Sequence, residues 1–201
     1  ASDVYKRQDY SGFHIAASHS DSPTLKIKES SEMNIENQYV KLNVEKYGGM
    51  LCAPWFDRPL SVAGRIIVKD GNRLTTKLIN VDRDLLMIPN LAIHMNREVN
   101  DGYKYNIQKD MLPLYRMSNS GKAFKEMIAE EAGVSVDQIK GMDLFLYNRM
   151  EGTVWGCDGE FISAPRLDDL QCAFTSTMAL LNSESDRCIP VSYTHLRAHE
   201  T

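Results

Sequence analysis

Alternation of apolar and polar residues marks out the first elements of this chain. Thr24 to Lys28 sets Leu25 and Ile27 on one side and Lys26 and Lys28 on the other, and Tyr39 to Glu45 does the same with Val40, Leu42 and Val44. A period of two is the signature of half-buried strands. Val62 to Lys69 and Arg73 to Ile79 read as two more, and the Asp70-Gly71-Asn72 between them is a hairpin signal. Met142 to Tyr147 reads as a strand, and Phe161 to Pro165 as extended, since a residue before proline avoids the helical region. Gly12 to Ala17, with Phe13, Ile15, Ala16 and Ala17 apolar, predicts a buried strand.

Helical spacing occurs in fewer places. Ser118 or Ser120 is expected to cap a helix running to about Ala132, with Phe124, Met127 and Ile128 buried and Gly133 as the stop. Ser135 opens a second short helix closed by Gly141. Leu170, Ala173, Phe174, Met178 and Leu181 form the apolar stripe of a clear amphipathic helix. Glu29 to Asn37 is polar and reads as a loop, and Gly48-Gly49 permits a tight turn. Pro89 interrupts the apolar run Leu85 to Met95, so a loop and one short helix carrying His94 are expected there. Trp55-Phe56-Asp57-Arg58 is either a packed loop with a local ion pair or part of an interface. A buried strand at the start, a β-rich middle and a closing helix together predict an α/β domain interrupted by an insertion.

Composition narrows this only slightly. The 201 residues can bury a sizeable core, and 43% hydrophobic with 25% charged is ordinary for a globular chain. A net charge of −4, without a Lys/Arg run, gives no footprint for nucleic acid or an anionic membrane. No apolar run approaches the ~18–20 residues of a membrane span. Cys52, Cys157, Cys172 and Cys188 show no C-x-x-C spacing and, with no export signal recognised, read as free thiols of a cytoplasmic protein. Ala1 to Gln8 and the tail from about Val191 resemble translated sequencing-adapter read-through, which would make the chain a fragment ending near residue 190. His195 and His199 in that tail have ligand-like i, i+4 spacing but no apolar pattern to anchor them.

Candidate chemistry lies at two points. His19-Ser20-Asp21 closes the first strand, and residues two apart in extended backbone share a face. A carboxylate beside a histidine can fix its tautomer and make it a better metal ligand. The plainer reading is a His and an Asp satisfied in a loop. Asp168 and Asp169 open the amphipathic helix, where acidic residues usually serve as caps. A carboxylate there could instead bridge two metal ions ~3.5–4 Å apart.

Four motifs in order, SHSDSPTLKIK, YGG…WFDRPLSVAGRIIVK, IPNLAIHM and FISAPRLDDL, resemble the aspartyl aminopeptidase family of di-zinc metallopeptidases. The resemblance implies an α/β/α catalytic domain, residues 1–23 and 161–201, interrupted by a β-rich dimerisation domain over 24–160. It implies that His19 ligates one zinc, that Asp21 sits behind it as an orienting catalytic residue, and that Asp168 bridges both zinc ions. His94 would project toward a neighbouring subunit's active site and help bind substrate. Dimers would assemble into a dodecamer, and N-terminal residues, preferably Asp or Glu, would be removed from peptides. In related di-metal peptidases the peptide after the bridging carboxylate is often cis, so Asp168–Asp169 is expected to be cis.

This sequence has Asp169 where the family usually has Asn, Asn90 where it often has His, and Met50 where a third Gly is common. The family's Glu-Glu pair, a later Asp ligand and a late His ligand would lie beyond residue 190, and Glu184 is too near Asp168 to replace them. The chain alone would then be inactive. Two other readings stay open: a non-catalytic assembly or binding protein of the same fold, and a related di-metal aminopeptidase without acidic preference.

Overall fold

The structure, a computed structural model, describes residues 12–184 and 188–193. The readings of residues 1–8 and of His195 and His199 lie outside them. The chain divides into two compact units, one formed by the residues up to Ser22 with those from Gly152 onward, the other by Pro23–Glu151. β1 (Gly12–Ala17) opens the first unit. β2 (Thr24–Ile35), β3 (Tyr39–Tyr47), β4 (Leu60–Asp70), β5 (Arg73–Asn80), α1 (Ile107–Asp110), β6 (Leu114–Met117), α2 (Phe124–Ala132) and β7 (Ile139–Asn148) build the second. β8 (Thr153–Trp155), β9 (Phe161–Ser163), α3 (Leu167–Leu181) and β10 (Cys188–Tyr193) return to the first. The sequence placed the end of the insertion at residue 160. β8 and β9 form one antiparallel hairpin, Thr153 opposite Ser163 and Trp155 opposite Phe161, and this hairpin groups with the first unit.

The second unit is a six-stranded antiparallel sheet in the order β5-β4-β7-β2-β3-β6. Its alternation is the one in the sequence: Leu25 and Ile27, Val40, Leu42 and Val44, and Leu60, Val62 and Ile66 face one core with Leu144 and Leu146. α2 buries Phe124, Met127 and Ile128 against that core and stops at Gly133, whose φ of 63° is the left-handed cap expected of it. Gly64 sits where β4 presses on β7, and a side chain there would collide with the Asp143 carbonyl.

Four local expectations are corrected. Glu29 to Asn37 is not a loop, because β2 continues to Ile35 past an irregularity between Ile27 and Glu32. Gly141 lies inside β7, and the turn after Ser135 is only the 3-10 segment Val136–Gln138. His94 lies in a turn closed by Met95 N–H donating to the Ala92 carbonyl, and no helix forms there. α2 is preceded by Ala123, which cannot accept a hydrogen bond through its side chain, and Ser118 and Ser120 stand too early to cap it.

That capping role falls to two carboxylates, Glu32 from distant β2 and Glu126 from the first turn of α2 itself. Phe124 N–H donates to Glu32 Oε1 at 2.7 Å, Ala123 N–H donates to Glu126 Oε2 at 3.0 Å, and Arg116 donates to Glu32 Oε2 at 3.1 Å. Glu32 thus ties β2, β6 and the start of α2 together, with its charge at the positive end of the helix. Glu32→Ala is expected to lower the stability of this unit by about 1–2 kcal/mol, read as a lower urea midpoint at unchanged slope. Glu32→Gln should recover part of the loss, because an amide oxygen can still accept from Phe124.

In the first unit β1 pairs with β10 in parallel, Gly12 opposite Cys188 through Ala17 opposite Tyr193, and α3 precedes β10. A helix leading into a parallel strand is the α/β arrangement the sequence indicated. β1 is not buried as expected: Phe13 and Ile15 are exposed, since the only strand it pairs with among the described residues is β10. The apolar stripe of α3, Leu170, Phe174, Met178 and Leu181, is exposed as well. Among the described residues no helix is long and apolar enough to cross a membrane.

Candidate functional site

β1 delivers His19 two residues beyond its end, and the start of α3 delivers Asp168 to the same place. The two are far apart in sequence, yet His19 Nε2 stands 3.4 Å from Asp168 Oδ1. The local reason lies in the backbone of α3. Asp168 (φ −85°, ψ 111°) and Asp169 (φ −119°, ψ 25°) are non-helical, so the regular helix begins only after them. The Asp168–Asp169 peptide is cis, as expected.

The two aspartates divide the work the sequence left undecided. Asp169 accepts the backbone N–H of Cys172, three residues on, which is the bond an N-cap makes. Its Oδ2 also accepts from the His19 backbone N–H at 3.1 Å. The Cys172 thiol donates to the same carboxylate, and this bond more than any other holds Asp169 below the usual carboxylate range. The thiol is pushed up in return, first because that hydrogen bond holds its proton and then because a thiolate would face the carboxylate's charge. Asp169 therefore caps the helix and ties it to the strand end. Asp168 is relieved of capping, and its side chain is 95% exposed. The sequence offered Asp168 and Asp169 together as caps, and the structure gives that role to Asp169. Cys172 at i+3 was the available signal for its capping role.

The orientation of His19 comes from the other side. Nδ1 lies 3.0 Å from the Asp21 backbone carbonyl and 3.4 Å from Asp21 Oδ1. The nearer acceptor is the carbonyl, so the carboxylate expected to orient the ring is only the second of two partners. With Nδ1–H turned toward Asp21, the Nε2 lone pair faces Asp168. His94 belongs to the other unit and is exposed in its turn.

The pair suits zinc in chemistry and spacing. Imidazole nitrogen and carboxylate oxygen are both zinc donors, and two donors ~2.0–2.1 Å from a tetrahedral ion stand about 3.3–3.4 Å apart. A simple ion pair with so exposed an aspartate would contribute little and has no need of that spacing. Among the described residues no group of three or more His, Cys, Asp or Glu is arranged to hold a metal ion. The described part of the chain therefore brings two donors together, fewer than the three protein ligands of a catalytic zinc. The Trp55–Arg58 cluster is a packed loop: Phe56 enters the core, and Asp57 Oδ1 accepts from Asn90 N–H at 2.9 Å.

The profile of the family described as aminopeptidase I zinc metalloprotease (M18) matches residues 3–197. A protein described as probable M18 family aminopeptidase 2, from Clostridium acetobutylicum, is 48% identical over 180 residues, covering 86% of this chain and 41% of that relative. Among solved structures, the Ape4 and Nbr1 complex determined by cryo-EM is similar at a TM-score of 0.81 and 30% identity, over 93% of this chain and 41% of that one. The S. cerevisiae mApe1 dodecamer is similar at 0.67 and 25% identity, over 90% of this chain and 42% of that one. The chain thus spans less than half the length of the relatives it matches.

Proposed function

This chain belongs to the M18 family of aminopeptidase I zinc metalloproteases, and on that premise we propose that it supplies part of a two-zinc centre that removes N-terminal residues, preferably Asp or Glu, from peptides. The observation that carries the reading is the 3.4 Å approach of His19 Nε2 to Asp168 Oδ1, which has the edge length of a tetrahedral zinc site. His19 would hold one ion through Nε2, and Asp168 would bridge both. Zinc, when bound, supplies a Lewis acid that polarises the scissile carbonyl and lowers the pKa of water.

The residues of the chain do the positioning. Asp21 keeps the proton of His19 on Nδ1, so that Nε2 keeps its lone pair. Asp169 fixes the strand end to the helix start, leaving the Asp168 carboxylate exposed beside Nε2. Pro23–Glu151 would be a dimerisation domain, and exposed His94 would reach substrate at a neighbouring subunit. The homo-oligomeric assembly this requires is supported by the likeness to the mApe1 dodecamer; we place that assembly in the cytoplasm.

The test is the protein expressed from its uninterrupted reading frame, loaded with zinc and given chromogenic amides. Aspartyl and glutamyl amides are expected to be hydrolysed with at least about tenfold higher kcat/KM than leucyl or alanyl amides, as a charge-reading pocket would give. Equal rates would favour a di-metal aminopeptidase without acidic preference. A folded, zinc-loaded protein with no turnover would favour a non-catalytic assembly protein. In the same background His94→Ala should retain zinc and lose activity.

A further inference from the structure

We propose that β5 is a self-pairing edge: two copies of this chain join along it, antiparallel, about a two-fold axis at Thr76. The proposal rests on the homo-oligomeric reading above and adds the surface that would carry it. β5 is the outer strand of the six-stranded sheet and pairs only with β4 among the described residues. Such an edge is a template for another strand unless it is short, kinked, proline-bearing or charged. β5 has eight residues, contains no proline, and keeps an unbroken register with β4 from Asn80 to Arg73. Leu74 is 67% exposed and Leu78 85% exposed. They lie with Thr76 on one face, because residues two apart share a side.

The guard expected on such an edge is turned away. Lys77 Nζ donates to the Ala132 carbonyl at 2.9 Å, satisfying the C-terminal end of α2. The outward hydrogen-bonding groups follow from the hairpin. Gly71 and Asn72 form a two-residue turn, with φ +57° at Gly71, so Asp70 and Arg73 close the ladder as a hydrogen-bonded pair. Alternation then turns the amides of Leu74, Thr76 and Leu78 away from β4.

Self-pairing has few registers, and charge separates them. The two faces of the sheet must match, so the axis passes through a residue of β5. An axis at Thr75 sets Arg73 against Lys77 of the second copy, and an axis at Lys77 sets that lysine against itself. Like charges directly opposite are destabilising. An axis at Thr76 sets Leu74 opposite Leu78, Thr76 opposite Thr76 and Lys77 opposite Thr75, with nearly the whole strand overlapping. The outward amides of Leu74, Thr76 and Leu78 then meet their equivalents. A surface that complements itself in this way fits a second copy, the isologous contact of a two-fold dimer.

The register gives a sharp test on the 201-residue chain. In a hydrogen-bonded pair the Cα atoms are about 5.5 Å apart, within disulfide reach, whereas Leu74 would be about 14 Å from its own equivalent. Under mild oxidation Thr76→Cys is expected to give a disulfide-linked dimer at least about tenfold faster than Leu74→Cys. Linked peptides identified by mass would separate this bond from bonds made by the exposed Cys157 and Cys172. Sedimentation should show a dimer for the unmodified chain and a monomer for Leu78→Lys, which places an ammonium opposite Leu74 of the second copy. A dimer in which Thr76→Cys links no faster than Leu74→Cys would overturn the β5 interface and leave self-association standing. A chain that sediments as a monomer at its highest soluble concentration and forms no link at position 76 would overturn both.

Discussion

His19→Ala, introduced into the protein expressed from its uninterrupted reading frame, is expected to lower kcat/KM by about 10³-fold or more and to lose bound zinc. The substitution removes the one nitrogen donor of the pair whose spacing matches a tetrahedral zinc edge. Metal assistance is worth several kcal/mol at the transition state, and each 1.36 kcal/mol is about tenfold in rate. Asp21→Ala should be much milder. Outer partners of a ligating histidine typically contribute about 10–100-fold. Here the nearer acceptor for Nδ1 is the Asp21 backbone carbonyl, which alanine retains, so a loss near tenfold is expected. Metal content per chain, measured beside the rates, checks both. An alanine variant at position 19 that keeps its full zinc complement would remove His19 from the site.

The 201-residue chain alone, incubated with zinc and an aspartyl or glutamyl chromogenic amide, is expected to release no product above the zinc blank. Two-metal hydrolysis needs both ions, a general base and a formed pocket. The described residues bring Asp168 within 3.4 Å of His19 Nε2, with Asp169, engaged in backbone bonds, at 3.8 Å, and no group of three or more among them is arranged to hold a metal ion. Two donors hold zinc poorly beside the three or four of established sites. The family relatives are more than twice as long as the stretch this chain matches, which leaves room for the remaining donors. Metal-dependent turnover that disappears with His19→Ala would show that the chain completes a site by itself.

The sheet was legible wherever one side of it is buried. Val40, Leu42 and Val44 alternate because only their face meets the core, and the Asp70-Gly71-Asn72 turn needed no tertiary information. Glu29 to Ile35 was misread because β2 there carries Ser30, Ser31 and Glu32, residues that look like a loop until one sees Glu32 reach the start of α2. The same long-range bond hid the true cap of that helix. His19 and Asp168 were legible as candidates through motif resemblance, and their approach at 3.4 Å depends on a parallel strand pairing that no local pattern encodes. Asp169 was the harder residue. Its tie to the His19 amide is a side-chain-to-backbone bond, which leaves no trace in residue spacing.

The pairing of β1 with β10 also bears on the order in which the chain can fold. Gly12 meets Cys188, so closing that ladder from an unstructured chain means closing a loop of nearly the whole described sequence. Pro23–Glu151 contains its own core, and its ends are held together where Thr24 Oγ1 donates to the Leu146 carbonyl at 2.6 Å. Once that unit has formed, the loop left to close is about a quarter as long, which by chain statistics removes about 1 kcal/mol of closure entropy. On the ribosome β10 also emerges only after every strand of the middle unit. Synthesis and entropy therefore favour the same sequence of events: the insertion folds first, and β1, which leads into His19, waits until β10 has been made.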